Sequence, residues 1–334
     1  MVEHHAGASA SFSDEQYTAA GATVAPDYSS CVTGAHLICK VQPPTADETA
    51  AIPEGAAVIC YLQPAVFPDA VQRLNGRKAS ALALELVPRI TRAQSMDVLS
   101  SQATISGYRS ILLGASALGR LMPMLSTAAG TLAPAKCFVL GAGVAGLQAI
   151  ATARRLGAIV SGFDVRPAAR EQILSLGAQV LKVEGADAEG SGGYAREQSA
   201  EQAQKTQDAI AAHVAQMDLV VTTAAIPGKR APLLLNEAAV AGMKAGAVIV
   251  DLAAESGGNC AGTRAGETVH VHGVTILGPV NVPSQASFHA SQMLSRNILT
   301  LLQHLMTTDG TLNLDASDEI TGAMLVCQNG TVRS

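Results

Sequence analysis

An α/β protein of two parallel-sheet domains, the second of them doubly wound, is what this sequence predicts, on three observations. Short β-rich runs alternate with helix-compatible stretches twice, first over residues 23–86 and again from Lys136. The 334 residues exceed one typical domain and suit two, each able to bury its own core. The second series opens on "KCFVLGAGVAG", an apolar strand running into a glycine turn and a helix start.

In the first series, "LICKV" (37–41), "AVICYLQ" (57–63) and "ALALEL" (81–86) are separated by stretches such as "PDAVQRLNG", the rhythm of a parallel βαβ sheet. Residues 92–130 hold apolar residues at helical spacing and no proline before Pro123, which predicts one long or two shorter helices bridging the domains. Six strands follow, near residues 137, 158, 178, 218, 247 and 274, as a doubly wound sheet requires. The last helix, "SFHASQMLSRNILTLLQHLM", carries Met293, Leu294, Ile298, Leu301, Leu302 and Leu305 on one broad face. That face must be buried, against the first domain or against another subunit. Residues 184–205 are small, polar and glycine-rich, which predicts a mobile loop running into a helix. The expected division is residues 1–95 with 288–334, connecting helices over 96–129, and a third stretch over 130–287 forming the second domain.

Composition narrows the function. Charged residues are 15%, apolar residues 48%, and the net charge of -5 comes without a basic tract, so nothing draws the chain to nucleic acid. A small molecule or a protein is the expected partner. Six scattered cysteines (31, 39, 60, 137, 260 and 327), with no CxxC and no zinc spacing, read as free thiols of a reducing compartment. No apolar run reaches the about 18 residues that span a bilayer, and the start lacks the build of a signal peptide, so a soluble, cytosolic-type chain is expected. His4 and His5 read as solvated terminal histidines, and no metal site is expected.

Gly141, Gly143 and Gly146 form GxGxxG between a strand and a helix, with Asp164 at the end of the next strand. The first glycine permits the tight turn, the second lets backbone N–H groups approach a pyrophosphate, and the third lets helix and strand pack closely. Asp164 is placed to accept hydrogen bonds from an adenosine ribose and to repel a 2′-phosphate, which favours NAD(H) over NADP(H). Arg166, two residues on, is the side chain able to receive that phosphate. The plainer alternative is a glycine turn that only packs a helix.

Residues 136–290 resemble the NAD(H)-binding domain, domain I or the alpha subunit, of proton-translocating NAD(P) transhydrogenases. The likeness lies in "GAGVAGLQAIATARRLGAIVSGFDVRPAAREQ", "GSGGYA", "VVTTAAIPGKRAP", "KAGAVIVDLAAESGGNC" and "GPVNVPSQAS". Upstream, "PRITRAQSMDVLSSQATISGYRS" is similar to the same family, as is the tail "GTLNLDASDEITGAMLV". The resemblance implies two Rossmann-like domains. It implies that Arg89, Asp97 and Ser100 orient the nicotinamide while Gln94 lies at the contact with an NADP(H)-binding domain. It also implies cofactor contacts from Ala142, Val144, Val165, Arg166 and Thr223 beside the glycines and Asp164, and a lid closed by Tyr194. Ala224 and Asp251, after predicted strands, either touch the cofactor or shape their loops. If the stretch is helical, Gln94, Asp97 and Ser100 recur every third residue and share a face; the alternative is a polar helix face with an Arg89–Asp97 ion pair.

The implied reaction is direct, Re/Si-specific hydride transfer from NADH to NADP+, coupled to proton translocation. Positioning suffices for that step, since no proton moves at the reacting carbon. The NADP(H)-binding domain and the membrane domain are then partner subunits, the chain is a homodimer peripheral to the membrane on its cytoplasmic or matrix-type face, and alone it turns over nothing. Two other readings stand beside this one. Alanine dehydrogenase shares the pattern, and Lys40 matches its lysine, but Gln63 stands where its histidine would be and cannot act as a general acid. A truncated, non-catalytic NAD-binding module is the other, because relatives begin with a strand and helix carrying a "GIPRE"-like start where this sequence opens "MVEHHAGASASFSDE". Loss of that first strand and helix would uncover apolar surface in the first domain.

Overall fold

The computed structural model describes residues 1–183, 185, 199–226 and 230–333. Two compact units divide the chain, residues 1–102 with 287–334 and residues 103–286.

In the first unit, β1 (Val2–Glu3) pairs in parallel with β2 (Val24–Ala25) around α1 (Asp14–Ala19). Ser13 and Gln16 close that helix's N-terminus with a reciprocal capping box. Then come α2 (Tyr28–Val32), β3 (Leu37–Cys39), α3 (Ala46–Ala51), β4 (Ala57–Cys60), α4 (Pro68–Gly76) and β5 (Ser80–Ala83). β3, β4 and β5 run parallel, as the sequence predicts. A 3-10 turn over Thr91–Met96 leads into one long helix, α5 (Val98–Ala117).

The second unit begins within α5. Its hairpin, β6 (Leu125–Thr127) and β7 (Gly130–Leu132), is exposed along its whole length. β8 (Lys136–Leu140), α6 (Val144–Arg155), β9 (Ile159–Phe163), α7 (Pro167–Ser175) and β10 (Gln179–Val180) form one half of the sheet. After α8 (Ala200–Val214), the other half is β11 (Leu219–Thr222), α9 (Glu237–Ala241), β12 (Val248–Asp251), β13 (Thr268–Val271) and β14 (Val274–Leu277). The strand order β10-β9-β8-β11-β12-β14-β13 is doubly wound and parallel except for β13. Winding reverses between β8 and β11, and the glycine turn follows β8, at the switch point where such sheets bind ligands.

Both faces of this sheet are buried, and the alternation of side chains sets which face each residue serves. Cys137 and Val139 of β8, Leu219 and Val221 of β11, and Val248 and Val250 of β12 fill one core cluster. Phe138 and Leu140, Val220, and Ile249 fill the opposite one. The first unit repeats the pattern, with Val58 and Cys60 on one side and Ile59 on the other.

The chain returns to the first unit through α10 (Ser287–Leu305), α11 (Glu319–Met324), β15 (Leu325–Gln328) and β16 (Thr331–Val332). β15 lies antiparallel beside β5, which gives the sheet order β16-β15-β5-β4-β3. Leu301 and Leu305 of α10 are buried with Ala93, Met96, Val98 and Leu82, so the apolar face of the last helix is covered within its own unit. The same helix begins against the N-terminal segment, where Phe288 stacks on Phe12 at 5.2 Å and Ser287 Oγ donates to the Ser9 carbonyl.

Besides the β1–α1–β2 segment, five strands go beyond the sequence expectation. β13 is an edge strand whose side chains are exposed or half-buried, so "TVHV" carries little apolar signal. It reaches β14 through His272 and Gly273, both at positive φ, the geometry of a tight hairpin. β6–β7 and β15–β16 are likewise short, and only the long-range pairing of β15 with β5 identifies the latter.

Gly107 sits mid-helix in α5, where glycine is ordinarily unfavourable. A Cβ there would lie 2.1 Å from the Ala145 carbonyl oxygen, so glycine is what allows α5 to cross the start of α6. Gly107→Ala is expected to lower stability by about 1–3 kcal/mol, the range for overpacked sites. A chemical denaturation midpoint equal to wild type would show that this crossing relaxes without cost.

Candidate functional site

The site builds from the turn after β8. Gly141 is at φ +94, a backbone conformation that side-chain-bearing residues rarely adopt. Gly146, in the first turn of α6, packs so tightly against it that a Cβ would lie 1.8 Å from the Gly141 carbonyl oxygen. Gly143 is different. Its would-be Cβ has no heavy atom within 4 Å, and it serves as N-cap without any side-chain cap bond. The opening amides of a twelve-residue helix thus face an open cradle that suits an anion. Val144 is exposed at this rim and Ala142 is buried beneath it. Thr223, just past β11, locks the turn through its Oγ1, which lies 3.0 Å from the Gly141 carbonyl and 3.2 Å from that of Leu140.

Asp164 follows β9 and is 6% exposed. Its Oδ2 accepts the Ala142 amide at 2.7 Å and the Arg166 Nη2 at 2.8 Å, while its Oδ1 accepts the Arg166 amide and Nε, each at 2.9 Å. Burial alone would raise its pKa, but the Arg166 side chain, the two amides and the arginine's charge together hold it below the usual carboxylate value. Arg170 donates to the carbonyls of Asp164 and, at 3.4 Å, of half-buried Val165. The loop is therefore held by side chains on α7 as well as by the glycine turn.

Asp251 ends β12 with no exposed surface. Five donors converge on its two oxygens: the hydroxyls of Thr222 and Thr263 and the amides of Ala253, Asn259 and Cys260. Burial, then the nearby Asp251 charge, pushes the Cys260 thiol up to about 12. Asn259, also fully buried, accepts the Ala224 amide and donates to the carbonyls of Ala224 and Pro232. Asp251 thus holds the Asn259 amide, and Asn259 in turn fixes the backbone at Ala224 and Pro232. Asn259 escapes the sequence reading, and its only signal there is a polar residue directly after Gly257 and Gly258, both at positive φ.

The remaining candidates lie in the first unit. Asp97 stands just before α5 and accepts the Ser100 amide at 2.9 Å and its hydroxyl at 2.6 Å, a helix N-cap. Gln94 is exposed in the 3-10 turn, and Asp97 at ψ 91 breaks the helical path between them. Gln94, Asp97 and Ser100 are therefore not on one continuous helix face; the break comes from the capping Asp97 itself. Arg89 is exposed on the loop before this turn. Tyr194, with the rest of "GSGGYA", lies outside the described residues.

Lys40 is bonded by Glu48 and lies 5.4 Å from the Tyr28 ring centroid. The Gln63 amide, at positive φ, donates to Glu85. Near the N-terminus, His4 Nδ1 is 2.5 Å from Asp14 Oδ2 and the His5 amide donates to the same carboxylate.

A doubly wound sheet with this glycine turn, joined in one chain to a second parallel-sheet unit, defines the class of two-domain α/β proteins with a Rossmann-type nucleotide-binding unit. Residues 1–106 match the family model "Alanine dehydrogenase/PNT, N-terminal domain", and residues 110–334 match "Alanine dehydrogenase/PNT, C-terminal domain". The chain is 44% identical over 341 residues to an NAD(P) transhydrogenase subunit alpha polypeptide of Rhodospirillum rubrum, covering 99% of this chain and 89% of that one. It superposes with a TM-score of 0.91 and 43% identity on the crystal structure of transhydrogenase from Sinorhizobium meliloti, covering 99% and 90% of the two chains. An L-alanine dehydrogenase structure follows at 0.80 and 26%, covering 99% and 87%. The chain belongs to the NAD(P) transhydrogenase alpha-subunit family, within the alanine dehydrogenase/PNT group.

Asn259→Ala deletes three buried hydrogen bonds and leaves backbone groups of Ala224 and Pro232 unmatched. The expected loss is about 2–3 kcal/mol in urea denaturation, from the cost of buried unsatisfied groups. Wild-type stability would mean that water replaces the amide.

Proposed function

We propose that this chain is the NAD(H)-binding component of an NAD(P) transhydrogenase, passing hydride directly and with Re/Si specificity between NAD(H) here and NADP(H) on a partner domain. The observation that carries this reading is 44% identity spanning 99% of the chain to a transhydrogenase alpha subunit, with the glycine turn intact. The cradle at Gly143 fits a pyrophosphate, since it presents helix amides and has room where a side chain would project. Gly141, Ala142, Val144 and Gly146 shape it, with Thr223 and Ala224 along its rim. Asp164 takes the adenosine ribose. Because Arg166 occupies the carboxylate, ribose hydroxyls reach it as the guanidinium turns aside or shares it. Asp251 acts through the loop it anchors. Tyr194 is assigned to the nucleotide by the family resemblance alone.

Arg89, Gln94, Asp97 and Ser100 serve the nicotinamide end. Bound NADH supplies the hydride; these residues orient the ring, hold the carboxamide and keep water out, and none exchanges a proton with the reacting carbon. That division of labour needs no acid–base pair at the reacting carbon. The partners are an NADP(H)-binding domain and a proton-translocating membrane domain, and the chain works at the membrane surface through them. Among the described residues no helix is long and apolar enough to cross a membrane. Leu121, Met124, Leu125 and Leu132, exposed on and beside the β6–β7 hairpin, suit a second copy of the chain, since an isolated hairpin is marginal in water. Alanine dehydrogenase chemistry is disfavoured by Lys40, which is engaged by Glu48, and by Gln63.

The test is NADH titration of the chain, then addition of an NADP(H)-binding partner domain and measurement of hydride exchange between the two pools. Binding with exchange supports the proposal; binding without exchange, or NADH formation from alanine, removes it. Asp164→Ala is expected to weaken NADH binding by at least about tenfold, the scale of lost charge-assisted hydrogen bonds. The same variant releases Arg166 and should narrow the preference for NADH over NADPH; unchanged NADH affinity would sink the ribose assignment. Gln94→Asn should slow exchange more than it weakens NADH binding, and a normal rate would remove Gln94 from the site.

A further inference from the structure

Asn297 lies on α10 among apolar neighbours and is 9% exposed. Leu294, Ile298 and Leu301 around it join the first unit's core, so an amide at this position must find partners or lose stability. It finds two, on either side of one short stretch. Its Nδ2 donates to the Ser95 carbonyl at 2.7 Å, and its Oδ1 accepts the Ser101 hydroxyl at 2.7 Å. Ser95 lies in the 3-10 turn and Ser101 in the first turns of α5. Between or beside them stand Gln94, Asp97 and Ser100.

Other contacts hold the same stretch at its margins. Arg92 Nη2 donates to Asp318 at 3.1 Å, and Gln102 Nε2 donates to the Ala290 carbonyl of α10 at 3.2 Å. Ala93, Met96 and Val98 bury their side chains against the Leu301 and Leu305 side of the core. The apolar contacts fix the stretch to the core but do not define the distance across its break at Asp97. A planar amide bonded at both ends does.

We propose that Asn297 is a positioning residue for hydride transfer, setting the register between the Gln94 turn and the Asp97–Ser100 cap through its paired bonds to Ser95 and Ser101. This rests on the function proposed above, and it adds a residue that touches no substrate. Asn297→Leu keeps the branching and the heavy-atom count, with bulkier methyl ends, and removes both bonds. Ser101→Ala removes the bond to Asn297, together with the serine's contacts to the Val98 carbonyl and the Gln102 side-chain amide, and keeps a good helix former at that position.

The experiment measures, for the full chain and both variants, the affinity for NADH, the affinity for ADP-ribose, which lacks the nicotinamide, and hydride exchange with the NADP(H)-binding partner at saturating NADH. ADP-ribose affinity is expected to stay within about twofold of wild type while exchange falls at least about tenfold in Asn297→Leu, as misplacement of reacting groups by a fraction of an ångström to an ångström commands. Ser101→Ala should show a smaller loss in the same direction. If Asn297→Leu loses the first unit's unfolding transition in chemical denaturation, or loses ADP-ribose binding, it has unfolded and Ser101→Ala decides: normal exchange there overturns the proposal. Normal exchange in both variants overturns it too while leaving the transhydrogenase reading intact. No exchange by the wild-type chain overturns that reading and this inference with it.

Discussion

Where β8 ends, the Gly141 carbonyl and the Gly146 α-carbon approach more closely than any side chain would permit. This contact fixes the direction in which α6 leaves the sheet, and with it the open cradle at Gly143. Much else is arranged around it. Thr223 bonds the turn from the neighbouring strand end, Asp164 accepts the Ala142 amide from the other neighbour, and Asp251 holds Asn259, which bonds the Ala224 backbone. Three successive strand ends are thereby tied to one backbone turn.

The electrostatics follow the same economy of groups. Asp164 is buried as a charge, which low-dielectric surroundings oppose, yet its four hydrogen-bond donors keep it ionised. Asp251 is buried more completely and is satisfied by five. The two carboxylates differ in what surrounds them. Two of the bonds to Asp164 come from one arginine side chain, whereas Asp251 is held by three loop amides and two threonine hydroxyls. The first is suited to exchange partners with a ligand, the second to hold a loop still.

The doubly wound sheet was legible because its strands are continuous apolar runs, and the glycine turn because three glycines and a distant aspartate have fixed spacing. The parallel strands of the first unit were legible for the same reason. β13 and the β6–β7 hairpin were not, since their side chains are largely exposed and leave no periodic signal. β15 was hidden by distance: its partner β5 lies more than two hundred residues earlier. Whether the "RITRAQSMDVLS" stretch is one helix stays open in the sequence, because the spacing of Gln94, Asp97 and Ser100 suits either a helix or a 3-10 turn, and only the cap formed by Asp97 separates them. Asn259 and Asn297 were invisible because a single asparagine carries no pattern; each is recognised by its bonds alone.

The first unit is assembled from both ends of the chain. Its larger sheet lacks two of five strands, and its core lacks Leu301, Leu305 and Met324, until the last forty or so residues are available. The second unit, residues 103–286, is contiguous and holds all seven strands of its main sheet. During synthesis from the N-terminus, the contiguous unit can therefore reach its native pairing while the other still waits as three parallel strands with an open β5 edge. Ribosome-bound chains halted near residue 290 would carry a folded nucleotide-binding unit and an unfinished one, and chaperone demand should concentrate on that exposed edge.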